Sequence, residues 1–152
     1  MATDAHLLMD LALELGDHRI RPVYQVSDEE KRLPAGRGGV RDIGTICGRD
    51  NLRQAIMMRL LTPLGELAGL GHPSYGSRLQ DLVGRVNTGT TRNLVRLYIM
   101  ESLQQEARVE KVTRISTKPV DRQPHLIAVE LEVRPIASTD ILQIGPFTLS
   151  LQ

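Results

Sequence analysis

At Arg108 the spacing of apolar residues changes period, and that change limits what the chain can fold into. Before it, Leu94, Val95, Tyr98, Ile99 and Leu103 recur at helical spacing over residues 92–105. After it, Val109, Lys111, Thr113 and Ile115 alternate with Glu110, Val112 and Arg114. The cleanest alternation runs from Leu126 to Val133. Ile127, Val129, Leu131 and Val133 face one way, and Glu130 and Glu132 the other. One apolar and one charged face describe an antiparallel sheet with a wet side. The expected fold class is therefore α+β, with helices packed on a small antiparallel sheet.

The rest of the chain fills in around that boundary. Leu7, Leu8, Leu11 and Leu15 predict a short helix over residues 4–15, with Asp4 as its N-cap. A short strand is expected over 20–26, interrupted by Pro22. Residues 27–39, charged and then Gly-rich, read as an exposed connector. Residues 40–46 read as extended. The expected division is an N-terminal helix and Gly-rich connector over 1–41, then a main domain over 42–152.

In that domain a helix is predicted over 52–61, capped by Asp50 or Asn51. Leu52, Ile56 and Leu60, with Met57 and Leu61, form its stripe, and Arg53 and Arg59 lie off it. Thr62-Pro63 stops it. A loop over 64–77 leads to a short helix over 78–84, then a turn at Asn87-Thr88-Gly89. Thr90 or Thr91 caps the second long helix. Pro119 to Pro124 is a turn, and residues 141–144 and 147–151 supply one or two more strands.

A length of 152 residues fits one domain, which buries about 70% of its unfolded-chain surface. One cysteine, Cys47, excludes an internal disulfide and fits a reducing compartment. Neither a secretion signal nor an apolar run of about 18 residues is found, so no membrane partner is expected. A net charge of +1 argues against non-specific nucleic-acid binding. All but three of the 19 basic residues are arginine, a choice that suits protein interfaces and that GC-rich coding explains equally well. Three tyrosines, one phenylalanine and no tryptophan leave little for base stacking or sugar binding.

Catalytic signatures are missing. No phosphate loop, His-Glu-x-x-His or Cys-x-x-Cys is present, and His6, His18, His72 and His125 have no ligand spacing. No metal, cofactor or catalytic residue is expected. Gly36-Arg37-Gly38-Gly39 is not a dinucleotide fingerprint, and Cys47 has no histidine close in sequence. Glu66 lacks the opposed carboxylate and aromatic groove of a glycosidase. It reads as a cap for backbone N–H groups or a partner for an arginine. Around it, His72, Pro73, Tyr75 and Gly76 suit a fixed loop, structural or interfacial: glycine permits positive φ, proline fixes a turn and tyrosine anchors. Glu106, at a helix exit, opposes the macrodipole and calls for an arginine in cis or from a partner.

Together these residues resemble the gene-25-like baseplate wedge family of contractile phage tails, type VI secretion baseplates and extracellular injection systems. The resemblance covers about residues 43–133. It is carried by Gly48, Leu52, Gln54, Ile56, Leu60, Thr62, Gly65 and Glu66. Pro73, Tyr75, Gly76, Ser77 and Leu79 follow, then Glu106, Arg108 and Val109. The family's Glu-Pro-Arg is Glu106-Ala107-Arg108 here, so the charges remain and the proline does not.

The resemblance implies a sheath initiator. Six copies would ring the hub, each presenting a fold similar to the sheath's C-terminal handshake domain, onto which sheath subunits add strands. Glu106, Ala107 and Arg108 would pack on the wedge proteins' helical core. Ile127, Val129, Leu131, Val133, Phe147 and Leu149 would mark the sheath-pairing strands. Hub, spike or inner-tube proteins are further expected partners. The chain would be cytoplasmic during assembly and then part of the particle. Glu106→Ala or Arg108→Ala is expected to leave the monomer folded and block assembly. The competing readings are a peptidoglycan-cleaving enzyme, after the family's older lysozyme label, and a small regulatory adaptor.

Overall fold

The computed structural model describes residues 4–15, 24–31 and 40–152. A 3-10 turn (Asp4–Leu7) precedes six short strands: β1 (Met9–Leu11), β2 (Leu13–Leu15), β3 (Tyr24–Val26), β4 (Asp28–Lys31), β5 (Val40–Ile43) and β6 (Thr45–Cys47). Helix α1 (Gly48–Leu61) follows, then 3-10 turns at Ala68–Leu70 and Leu79–Leu82, and helix α2 (Gly89–Leu103). Strands β7 (Val109–Val120), β8 (Gln123–Pro135) and β9 (Leu142–Ser150) complete the chain.

The N-terminal helix expected over 4–15 is not formed. Its leucines have helical spacing, but the backbone finds strand partners elsewhere in the chain: β1 pairs with β6 and β2 with β3, both antiparallel. Such long-range pairing overrides local periodicity. Leu8 takes a positive φ of 65°, which ends the 3-10 turn. Leu7 reaches the core, while Leu8 and Leu11 stay exposed. Part of the expected connector is also a strand, since β4 pairs with β5 over Asp28–Lys31. The boundary expected at 41/42 falls inside β5. Residues 32–39, and the expected strand before Tyr24, lie outside the described residues.

These three strand pairs meet at one point. The Ala12 N–H donates to Gly44 O at 2.8 Å, Gly44 N–H to Ser27 O at 2.7 Å, and Ser27 N–H to Ala12 O at 2.8 Å. The ring satisfies the backbone where three ribbons diverge and ladder partners run out. Its link to α1 is a side chain. Gln54 Oε1 accepts from Leu13 N–H at 2.8 Å, and Gln54 Nε2 donates to Leu11 O at 2.7 Å, so one amide takes the place of a strand neighbour.

Helix α1 begins at Gly48, earlier than expected, and Cys47 caps it without a side-chain bond. Asp50 sits in the first turn, where a negative charge suits the macrodipole. Asn51 is turned inward instead, donating to Leu7 O at 2.9 Å. Helix α2 is capped by Thr88, whose hydroxyl accepts from Thr91 N–H at 3.2 Å.

The last three strands form one antiparallel sheet in the order β7-β8-β9. Ile127, Val129, Leu131 and Val133 of β8 are fully buried, joined by Leu142, Ile144, Phe147 and Leu149 of β9. Leu52, Ile56, Leu60, Val95, Ile99 and Leu103 from the two helices fill the same core, with Leu7 as a plug from the N-terminus. Each such side chain contributes about 1.5–3 kcal/mol of burial.

Candidate functional site

Arg59 of α1, Tyr75 of the loop between the helices and Arg108 beyond α2 gather around one buried carboxylate. Glu106, 8% exposed, follows the end of α2. Arg108 Nε donates to Glu106 Oε1 at 2.7 Å, and Arg59 Nε lies 3.4 Å from Glu106 Oε2. The Arg59 guanidinium is stacked over the Tyr75 ring, 4.5 Å from its centroid. Arg108 Nη1 reaches Leu7 O at 3.5 Å, tying the N-terminal turn to the cluster.

Burial alone would raise the Glu106 carboxyl's pKa, but the hydrogen bond and charge of Arg108, with Arg59 behind them, hold it below the usual range. Burial pushes the Tyr75 phenol up, against the opposing charge of Arg59. A carboxylate kept ionised between two arginines suits a lock; a proton donor working near neutral pH needs the opposite shift.

The arginine that Glu106 calls for is therefore supplied in cis, twice. Ala107 is exposed, and Arg108 is partly exposed at the rim. Glu106 itself faces inward, so Glu106→Ala is expected to cost stability as well, because it would leave Arg59 buried without its counter-ion. Arg59 was expected off the apolar stripe and is buried on it. It lies seven residues after Leu52 and three after Ile56, the spacing of the stripe itself.

The loop 64–77 folds back beneath this cluster. Ser77 N–H donates to Thr62 O at 2.8 Å, Leu64 N–H to Ser77 O at 2.9 Å and Gly65 N–H to Tyr75 O at 3.3 Å. Ser77 Oγ donates to Leu60 O at 2.6 Å, and Ser102 Oγ to Gly76 O at 2.9 Å, fixing the loop to both helices. Gly76 has φ of 110°, and a Cβ there would lie 2.6 Å from Pro63 O. Glu66, His72 and Pro73 are exposed on the outer part of the loop, with His72 N–H donating to Leu67 O at 3.0 Å. A hollow of about 310 Å³ separates the loop from α2, with Leu64, Pro73 and Tyr98 on its walls and Arg78 stacked on Tyr98. Among the described residues no group of His, Cys, Asp or Glu could hold a metal ion, and no helix is long and apolar enough to cross a membrane.

Of the two strands named for partner pairing, the first is central in the sheet and the second is at its edge. β8, which carries Ile127, Val129, Leu131 and Val133, is the middle strand, paired on both sides within the chain. Its backbone has no edge to offer, and the four side chains are core. Phe147 and Leu149 also point into the core, from β9. Among the described residues, the outer edges of this sheet are those of β7 and β9. The β9 edge is partly covered: Arg49 Nη2 donates to Ile141 O at 2.9 Å and Arg53 Nε to Gln143 O at 3.4 Å. Gly84 N–H donates to Leu151 O at 2.7 Å, and Pro146 has no N–H to give. Among the described residues no strand lies on the outer edge of β7.

No family model matches the chain. Its fold is similar to that of a crystal structure from Geobacter sulfurreducens that carries the provisional name tail lysozyme. The TM-score is 0.58 at 19% identity, covering 68% of this chain and 90% of that one. At that identity the likeness is one of fold. The chain is also 31% identical over 130 residues to the ribosomal protein uS12 methylthiotransferase RimO of Symbiobacterium thermophilum. The match spans 79% of this chain but only 26% of that protein.

Proposed function

We propose that this chain is a structural subunit of a contractile-tail baseplate that starts sheath assembly, without enzymatic activity. The observation that carries the proposal is the use made of the motif residues. Tyr75, Gly76, Ser77, Glu106 and Arg108 come from distant parts of the sequence and meet in one closed unit, where they hold two helices and a loop in register. Support also comes from the fold likeness to the protein that carries the name tail lysozyme.

In this role the rim at Ala107 and Arg108 would meet the wedge proteins, and an open sheet edge would receive a sheath strand. Six copies per particle, contacting sheath, wedge and hub or inner-tube proteins, follow from the family resemblance. Nucleic acid has no part in it.

The test is the composition of purified particles from a host that encodes the chain. Quantitative mass spectrometry is expected to find it at baseplate stoichiometry, far below the sheath protein. Intact sheathed particles that lack the chain would overturn the proposal.

A further inference from the structure

We infer that the three N-terminal ribbons carry a docking surface for a protein segment with an apolar centre and a rim of lysine or arginine. This rests on the baseplate reading only in placing that partner in the same particle.

The surface is built around the backbone ring of Ala12, Ser27 and Gly44. Each ring residue donates to one neighbour and accepts from the other, so the three strand ends that enter the ring are equivalent. The side chains just before it are those of Leu11, Val26 and Ile43, which are 45%, 51% and 52% exposed. Strand register extends the surface outward. Met9 lies two residues before Leu11 and shares its face, with Cys47 opposite Met9 and Thr45 opposite Leu11, all of them exposed. Leu13 stands opposite Val26 and is half-buried. Leu11 is thus one of the residues that give the N-terminus its helical spacing, and it serves an outer face instead of a core.

Two-stranded ribbons are marginal in water by themselves. These are held from the side: Asn51 of α1 donates to Leu7 O, and Gln54 bonds to both Leu11 O and Leu13 N–H. Leu7, which anchors the unit, is buried in the main core. The ring and the Gln54 clamp therefore fix the apolar side chains in place without covering them. A contiguous exposed apolar patch marks a contact site, and one that is already rigid loses little freedom on binding.

Charge selects the occupant. The six strands carry Asp10, Glu14, Asp28, Glu29, Glu30 and Asp42 against Lys31 and Arg41. Asp28 stands directly opposite Ile43, on the apolar face itself. A second copy presenting the same patch would set these acids against each other, and an anionic lipid surface would repel them. A partner with cations around an apolar centre is attracted at both places.

The experiment uses the full chain in cells of a host that encodes it, with photoreactive p-benzoylphenylalanine in place of Val26. Irradiation is expected to join position 26 to a peptide of another protein whose apolar residues are flanked by lysine or arginine. Ile43→Thr, which suits a strand, and Asp28→Lys are each expected to lower the yield about fivefold. Circular dichroism of the purified variants checks that they fold. Cys47, the chain's single thiol and exposed at the margin of the patch, gives a second reading without any substitution. Its alkylation is expected to be several-fold slower in cells than in the purified chain. No cross-link, or a cross-link to a second copy, to lipid or to a peptide without basic residues, would overturn the inference. So would a yield that neither substitution lowers, or equal alkylation in the two settings. Whether the cross-linked partner sediments with sheathed particles tests the baseplate reading separately, and either result leaves the docking surface in place.

Discussion

Arg59 and Glu106 stand 3.4 Å apart in the interior, each close to one-tenth exposed, and join the middle of α1 to the segment leaving α2. The pair is an ion contact backed by a second arginine on one side and an aromatic face on the other. Both partners are desolvated, so neither can be removed alone without stranding the other.

Glu106→Gln is therefore expected to destabilise the fold by about 3–5 kcal/mol, because it leaves Arg59 buried without its counter-ion. Urea unfolding checks this. Adding Arg59→Met, which replaces the cation with an apolar side chain of similar length, is expected to recover much of the loss. If the double variant is no more stable than the single one, Arg59 and Glu106 do not depend on each other.

The same carboxylate sets an acid limit. Its pKa is lowered in the folded state, so its contribution is present above the unfolded carboxylate range and is lost as pH falls through the folded value. Denaturation midpoints measured downward from about pH 5 are expected to fall, and Glu106→Gln should flatten that slope. An unchanged slope would show that other carboxylates govern acid stability.

Gly76→Ala is expected to cost about 2 kcal/mol or more, since its Cβ would meet Pro63 O and its φ is left-handed. Gly69→Ala is the control, with nothing within 4 Å of the added carbon. Thermal unfolding of the two should differ clearly. Equal melting temperatures would mean the loop repacks freely.

Gln54→Ala should loosen the N-terminal ribbons with a smaller global effect, about 1–3 kcal/mol. The Leu13 amide, which donates to Gln54 Oε1, reports it directly by hydrogen exchange. Faster exchange at Leu13 with Ile127 and Val129 still protected is the expected pattern. Unchanged protection at Leu13 would remove Gln54 from the clamp.

A muralytic assay on the purified chain is expected to give no activity above a Glu66→Gln control. Cleavage of peptidoglycan that the substitution abolishes would return Glu66 to a catalytic role.

The sheet and the two long helices were legible because burial there follows simple periods. Ile127, Val129, Leu131 and Val133 alternate in sequence and in space, and Leu52, Ile56 and Leu60 follow one helical stripe. The N-terminus was not legible, because β1, β2 and β4 find their strand partners up to 38 positions away, as Met9 does in Cys47. A run of leucines at helical spacing says nothing of such partners. Arg59 was misjudged because a charge on a buried stripe is readable only once Glu106 and Tyr75 are seen to meet it. In the loop from Leu64 to Ser77, which residues point inward depends on contacts with Leu60 and Ser102, which no local pattern announces.

The most direct test is electron microscopy of particles from a host in which this gene is deleted. The account predicts bare tubes or baseplates without extended sheath, restored when the intact chain is supplied. Normal sheathed particles from the deletion strain would contradict it.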